Sequence, residues 1–308
     1  MDPSSFSFWR RRLIVPTPPK QTAYSDSYSR LNPHLFGDSF REYVRPALVA
    51  SDAVRASLQR TFKFADHMFS APHTVIYPAL RVQADGPANG RIVLDANYMW
   101  STEYYHFIME VLPNVIAMSR AYPTGVIRCR VSAFTRAMLD WFGVQNHIEP
   151  AVSVEGARRI HVPAFECGNP SPERVGILRD IVKSRVTFSS THGILIRRHG
   201  SRVLVNEAEV LDQLKAKYPS LEWVIFDAET VPDTAALFAR AAVIAGPHGA
   251  GFTNMLFSPP DVEVIEFMPE SDANACYWHL AAVLGLSYTM VSTPVVGPSN
   301  AMLGRLPA

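Results

Sequence analysis

Three things are scarce in this chain: cysteine, surplus charge and long apolar runs. The three cysteines, Cys129, Cys167 and Cys276, are far apart and odd in number, with no CxxC pair. Neither a disulfide framework nor a zinc cage is built that way, and reduced thiols in a cytosolic setting fit the spacing. Lysine and arginine number 29 against 28 acidic residues, a net charge of +1. A broad nucleic-acid footprint needs a basic excess on one face, so any bound anion must be held locally, by a few arginines or backbone N–H groups. No apolar run reaches the roughly 18 residues of a membrane span. Near the start, Trp9-Arg10-Arg11-Arg12 is followed only by Leu13-Ile14-Val15 before Pro16. That is shorter than the apolar core of about 7–15 residues in a secretory signal. The expected location is the cytoplasm, with a Golgi lumen left open if an anchor lies outside this chain.

Missing motifs narrow the chemistry further. No Asp-x-Asp occurs, so a carboxylate-held Mg²⁺ or Mn²⁺ on a diphosphate is not signposted. Neither GxGxxG at the start of a βαβ unit nor GxxxxGK[ST] is present, which disfavours dinucleotide and P-loop readings. There is no GxSxG nucleophile elbow, and His, Cys and acidic residues show no metal-ligand spacing. No metal and no cofactor is therefore expected.

What is present is an alternation of strand-like and helix-like segments over 308 residues, a length that suits two domains of about 150 each. Residues 1–40 lack periodicity and read as an extended arm, packed through Trp9, Phe36 and Phe40. Residues 41–188 and 189–308 read as two Rossmann-like halves. In the first, a helix is expected across Ser51–Phe69 and strands at Thr74–Tyr77, Ala79–Val82 and Arg91–Leu94. Turn chemistry covers Asp85–Gly90. The periodicity of Phe107, Ile108, Val111, Leu112, Val115 and Met118 predicts a helix over Tyr104–Ala121, kinked or restarted at Pro113. A strand at Val126–Val131, a helix at Ala133–Phe142, a strand at Arg159–Ala164 and a helix at Pro172–Val186 capped by Ser171 follow. Thr187–Gly193 is polar and reads as the hinge. In the second half, strands are expected at Ile194–Arg198, Trp223–Phe226, Val243–Ala245, Val262–Phe267 and, last, Tyr288–Val291. Helices are expected at Glu207–Tyr218 with Asn206 as cap, Pro232–Ala241 and Ala273–Leu284. Such an alternation predicts a parallel, doubly wound α/β sheet.

The chemistry-bearing residues gather at strand ends. Gly246-Pro247-His248-Gly249-Ala250-Gly251-Phe252-Thr253-Asn254 follows the strand ending at Ala245. Glycines there let backbone approach a ligand closely, and open α/β sheets bind ligands beyond the carboxyl ends of their strands. Backbone N–H groups free to hold an anion are expected in this loop. Arg197-Arg198-His199-Gly200-Ser201-Arg202 leaves the first strand of the same half, and arginine forks suit a diphosphate. The alternative is a solvated turn. Glu266, at the end of the next strand, is either an acceptor for ribose hydroxyls or a surface strand-end residue. In the first half, His106 and Glu110 share a helix face four residues apart. They form either an acid–base pair at a cleft or a buried structural pair. Glu103 is a further base candidate or a helix-cap residue.

Together these segments resemble family 61 glycosyltransferases. The resemblance rests on Arg197-Arg198-x3-Arg202-x3-Asn206-Glu207, on Gly246-Pro247-His248-Gly249-Ala250-Gly251-x-Thr253-Asn254 with Phe257, on the strand ending in Glu266, and on Tyr105-His106-Phe107-Ile108-Met109-Glu110-Val111-Leu112-Pro113. It spans roughly residues 92–270 and departs at Phe252, where the family usually has an aliphatic residue. It implies a GT-B-like fold, two Rossmann-type halves facing across a cleft, and inversion at the anomeric carbon without an obligatory metal. The donor would be a UDP-sugar and the acceptor a glycan, glycolipid or glycoprotein; members move xylose, N-acetylglucosamine or arabinose, and bacterial relatives are linked to capsular polysaccharide. By position, Arg198 and Arg202 would meet the diphosphate, and His248, Gly249, Ala250, Gly251, Thr253, Asn254 and Glu266 would complete the donor pocket. His106, Glu110 or Glu103 would supply the general base. The competing class is a GT-B module that binds a nucleotide sugar or glycan without transferring it. A nucleotide-sugar hydrolase or epimerase ranks last, since hydride chemistry would need the missing GxGxxG.

Overall fold

The computed structural model describes residues 22–24, 69–71, 74–75, 80–98, 101–162, 172–228, 230–269 and 276–306. The arm contacts through Trp9, Phe36 and Phe40, the Ser51–Phe69 helix except its final residue, the Ser171 cap and Cys167 lie outside them. The described residues fall into two compact units. One holds those between 80 and 184. The other holds those from 185 onward, with the short strands β1 (Thr22–Tyr24), β2 (Phe69–Ala71) and β3 (Thr74–Val75).

The first unit is built on β4 (Gln83–Asp85), β5 (Ile92–Asp95), β6 (Val126–Arg128) and β7 (Arg158–His161), in the order β4-β7-β5-β6. β5 runs parallel to β6 and β7, and β4 closes the edge antiparallel. The strand expected at Ala79–Val82 is thus displaced to Gln83–Asp85, because pairing of Asp85 with Arg159 selects the register. The turn follows at Gly86, whose φ of +85° and close approach to the Ala157 carbonyl suit only glycine. The helical run across Tyr104–Ala121 has three parts: α1 (Tyr104–His106), a π-helical turn (Phe107–Val111) and α2 (Leu112–Ala121). Pro113 lies in the first turn of α2, directly after the π-helical turn and with Val111 and Leu112 in helical conformation, so the run continues through it rather than restarting. Helix α3 (Ala133–Trp141) opens with a reciprocal Ser132–Thr135 capping box. Helix α4 (Pro172–Arg185) buries Arg174, Val175, Leu178, Arg179 and Val182 along one face.

The second unit alternates β8 (His192–Ile196), α5 (Glu207–Lys217), β9 (Glu222–Phe226), α6 (Val231–Phe238), β10 (Ala241–Pro247), a 3₁₀ segment (Ala250–Phe257), β11 (Glu263–Pro269), α7 (Cys276–Leu284) and β12 (Ser287–Thr293). Its sheet runs β1-β12-β11-β10-β8-β9, with every pair parallel. Both sheets are parallel-rich, as in Rossmann-like halves. Leu195, Val243, Ala245, Ile265, Phe267 and Val291 line one face and pack with Val210 and Leu214 of α5. Ile194, Ile244 and Val264 are buried on the other. Burial on both faces is why these strands read as continuous apolar runs.

Several boundaries differ from the sequence reading. β8 begins at His192 and ends at Ile196, so Gly193 leaves the expected hinge for the sheet. A Cβ there would stand 2.4 Å from the Trp223 ring opposite it. Ala241 belongs to β10 rather than to the preceding helix. β12 is not the last strand: β13 (Val295–Gly297) and β14 (Ala301–Met302) form a hairpin after it. Asn206 precedes α5 as expected, yet its side chain does not cap the helix. It grips Gly304 instead, accepting from that residue's N–H at 2.9 Å and donating to its carbonyl at 2.8 Å.

Candidate active site

Parallel pairing of β8 with β10, Ile194 opposite Ile244 and Leu195 opposite Ala245, sends both strands out at one edge of the second sheet. Residues 197–202 and 248–254 therefore leave the sheet side by side. An ideal Cβ at Gly249 would fall 1.8 Å from Arg198 Nη1, and one at Gly246 or Gly251 would fall within 2.8 Å of the Ile196 side chain. The loop glycines were expected to admit a ligand. What they admit in this structure is the neighbouring strand exit, and Arg198 above all.

Adjacent arginines are treated differently. Arg197 is held by Glu207, with Nε to the carboxylate at 3.0 and 3.1 Å and Nη2 at 2.5 Å, and Asp227 lies 3.8 Å away. Arg198 has no carboxylate within ion-pair reach among the described residues; its Nε donates to the Ser201 carbonyl at 2.5 Å. Burial, and then the like charge of Arg202, push its pKa down. Arg202 has a left-handed backbone (φ +56°), which costs a non-glycine residue about 1–3 kcal/mol unless its surroundings enforce it. They do so here: its N–H donates to the Ser299 carbonyl at 2.8 Å, at the tip of the β13–β14 hairpin. Two guanidinium groups are thus gathered at one strand edge against mutual repulsion. Such a cluster is arranged for an anion.

Behind this edge lies a buried polar row. His248 is 4 % exposed and Glu266 is fully buried. Their Nδ1 and Oε1 atoms are 2.5 Å apart, and the Tyr288 hydroxyl donates to the other Glu266 oxygen. Glu266 is therefore neither a surface residue nor an open acceptor for ribose hydroxyls, because both its oxygens are engaged inside the protein. The Tyr277 ring lies 5.2 Å from the His248 ring and 5.6 Å from Phe252. Its phenol pKa is raised well above the usual value, by burial first.

The remaining loop residues divide by depth. Ala250 and Gly251 are half-buried. Thr253 and Asn254, expected to line the donor pocket, are fully buried beneath the 3₁₀ segment, and Thr253 sits at the Tyr277 phenol. They shape the loop from below. Not every N–H in the loop is open either: that of His248 donates to the Phe267 carbonyl and that of Phe252 to Gly249.

In the first unit, the expected pair is formed. His106 Nδ1 and Glu110 Oε1 are 2.9 Å apart, and both side chains keep some exposure, 25 % and 18 %. The π-helical turn carries Glu110, and Asn114 donates to the Glu110 carbonyl at 2.8 Å. Arg174, 1 % exposed, donates from Nε to Asn114 Oδ1 at 3.2 Å. Burial lowers its pKa to about 10, opposed by Glu173, Tyr98 and Glu110. Sequence reasoning missed Arg174, Asn114 and Tyr98; the only trace of them was a pair of arginines, Arg174 and Arg179, on a face shared with Val175, Leu178 and Val182. Glu103 is exposed at the N-cap of α1 and makes no side-chain cap bond there. Cys129 is buried, its thiol pushed up to about 11 by burial. That removes it as a nucleophile.

Among the described residues, no group of three or more His, Cys, Asp or Glu side chains is placed to hold a metal ion. No described helix is long and apolar enough to cross a membrane. The second unit thus carries an arginine cluster at the end of a parallel sheet, and the first unit carries a carboxylate–histidine pair on a helical run. Residues 104–265, just over half of the chain, match the sequence profile of Glycosyltransferase 61, and the chain belongs to that family. It is therefore a glycosyltransferase, an EC 2.4 transferase that moves a sugar from a donor to an acceptor. No curated protein matches it.

Proposed function

We propose that this chain transfers a sugar from a UDP-linked donor to a glycan, glycolipid or glycoprotein, with inversion, in a GT-B-like arrangement. The single observation that carries the donor side of this reading is Arg198 seated on Gly249 beside Arg202, without a carboxylate partner for Arg198 among the described residues. A departing diphosphate needs its growing charge absorbed, and preorganised donors do this without reorganising as the bond breaks. Arg198 and Arg202 take that role, with His248 and the half-buried backbone of Ala250 and Gly251 beside them. The arginines supply the charge that a metal would otherwise bring, which supports a metal-independent transfer.

An inverting displacement also needs one base to take the acceptor's proton as its oxygen attacks. Glu110, oriented by His106, fills that role best; the exposed Glu103 is the lesser candidate. The base is also what separates this reading from a binding module, which has no use for one. The cytoplasm is the proposed location. The test is UDP release from a panel of UDP-sugars with and without candidate glycans. Release that requires a glycan is the expected result. Release without one identifies a hydrolase, and binding without release identifies a module that holds its sugar.

A further inference from the structure

Glu266 cannot act on a ligand directly, since it is fully buried with its oxygens facing His248 and Tyr288. Its effect must pass through the imidazole. With the Tyr288 hydroxyl donating to one carboxylate oxygen, the Nδ1–H of His248 donates to the other, and Nε2 is the nitrogen left over. With one proton on the Glu266–His248 pair, Nε2 is bare and the pair carries one negative charge. With a second proton, Nε2 bears hydrogen and the pair is neutral. Only the second form can donate to a phosphate oxygen.

We propose that Tyr288, Glu266 and His248 form a relay that couples the binding of a nucleotide diphosphate to the uptake of one proton at Nε2 of His248, with Glu266 as a positioning residue. The proposal rests on the diphosphate reading above. The arriving diphosphate brings negative charge to the loop, which favours the second proton. The proton comes from solvent and no bond to carbon or phosphorus changes. Among the described residues, the titratable and charged groups around His248 are Glu266 on β11, Tyr288 on β12, Tyr277 on α7, and Arg198 and Arg202 after β8. Tyr277 stays protonated, since burial holds its pKa well above the usual value.

The test is calorimetric titration of the full chain with UDP between pH 7 and 9, above the pH of about 6 at which a terminal phosphate titrates. Buffers of different ionisation enthalpy report the protons exchanged. In the wild type, up to one proton is taken up, and affinity falls by up to about tenfold per pH unit across the range in which the bound pair holds the second proton and the free pair does not. In Glu266→Gln and in His248→Gln, uptake drops to near zero and the affinity becomes flat with pH. Tyr288→Phe, the milder change, retains the uptake and moves its midpoint upward, because the carboxylate loses a stabilising donor. Circular dichroism confirms that each variant is folded. Should Glu266→Gln misfold, His248→Gln and Tyr288→Phe decide. Absence of proton uptake in a wild type that binds UDP overturns the relay alone, as does wild-type uptake in either Gln variant. Failure of the wild type to bind UDP overturns the diphosphate reading as well.

Discussion

In the first unit, Arg174 is buried with Asn114 on its Nε and Glu110 within electrostatic reach, whereas in the second unit Arg198 faces the like charge of Arg202 and rests on a bare glycine. One cluster sets a carboxylate, an imidazole and a guanidinium together; in the other, Arg198 has no carboxylate within ion-pair reach among the described residues. The difference suits the roles proposed above: the first grouping fits the movement of a proton, and the second fits the arrival of an anion. The same contrast recurs between neighbours in sequence, since Arg197 is closed by Glu207 and Asp227 while Arg198 is not.

Five substitutions test that contrast. Glu110→Gln keeps shape and removes basicity, so turnover is expected to fall by about 10²–10⁴-fold with UDP affinity unchanged. Steady-state kinetics with calorimetry checks this, and full turnover would remove Glu110 as the base. Arg202→Ala is expected to cost about 2–4 kcal/mol of transition-state stabilisation, roughly 30- to 1,000-fold in kcat/KM. In the same assay, Arg197→Ala should stay close to wild type. Equal losses at 197 and 202 would erase the distinction drawn between Arg197, closed by its carboxylates, and the arginine cluster proposed to meet the diphosphate. Asn114→Ala takes one partner from the buried Arg174 and should lower unfolding stability by about 1–3 kcal/mol, read from urea denaturation. Unchanged stability would show that the first cluster does not depend on that bond. Gly249→Ala adds a methyl where Arg198 Nη1 now lies, and the flexible guanidinium should give way while the fold holds. UDP affinity is then expected to drop about tenfold, ~1.4 kcal/mol. Unaltered affinity would separate Arg198 from the nucleotide.

Much of this architecture was legible in the amino-acid order, and the misses have a common cause. Strands β8 to β12 are short apolar runs bounded by turns or helices, a pattern that survives without knowledge of the partners. The glycine loop, the arginine cluster and the His106–Glu110 spacing were equally local, and so were visible. Thr22–Tyr24 was not. Three residues carry no periodicity, and their pairing with Tyr288–Met290 joins opposite ends of the chain. Arg174 was not singled out at all, since its partner Asn114 lies sixty positions away. Glu266 was seen on the right strand but read as its end residue, whereas it lies in the middle of β11. Its partner Tyr288 lies on the adjacent strand, and sequence spacing says nothing about which way a strand side chain turns.

The order of the larger sheet bears on how this protein can be divided for study. β11, which carries Glu266, lies between β10 and β12, and only β10 falls wholly within the matched stretch of 104–265. A fragment trimmed to that stretch would stop one residue short of Glu266 and would lack the strand bearing Tyr288. What remained of β11 would be an unpaired rim of N–H and C=O groups, open to joining another copy. It would also lack the β13–β14 tip that holds Arg202 in its left-handed turn. Expression boundaries for the catalytic half should therefore run past Met302, or the cut itself will imitate a loss of function.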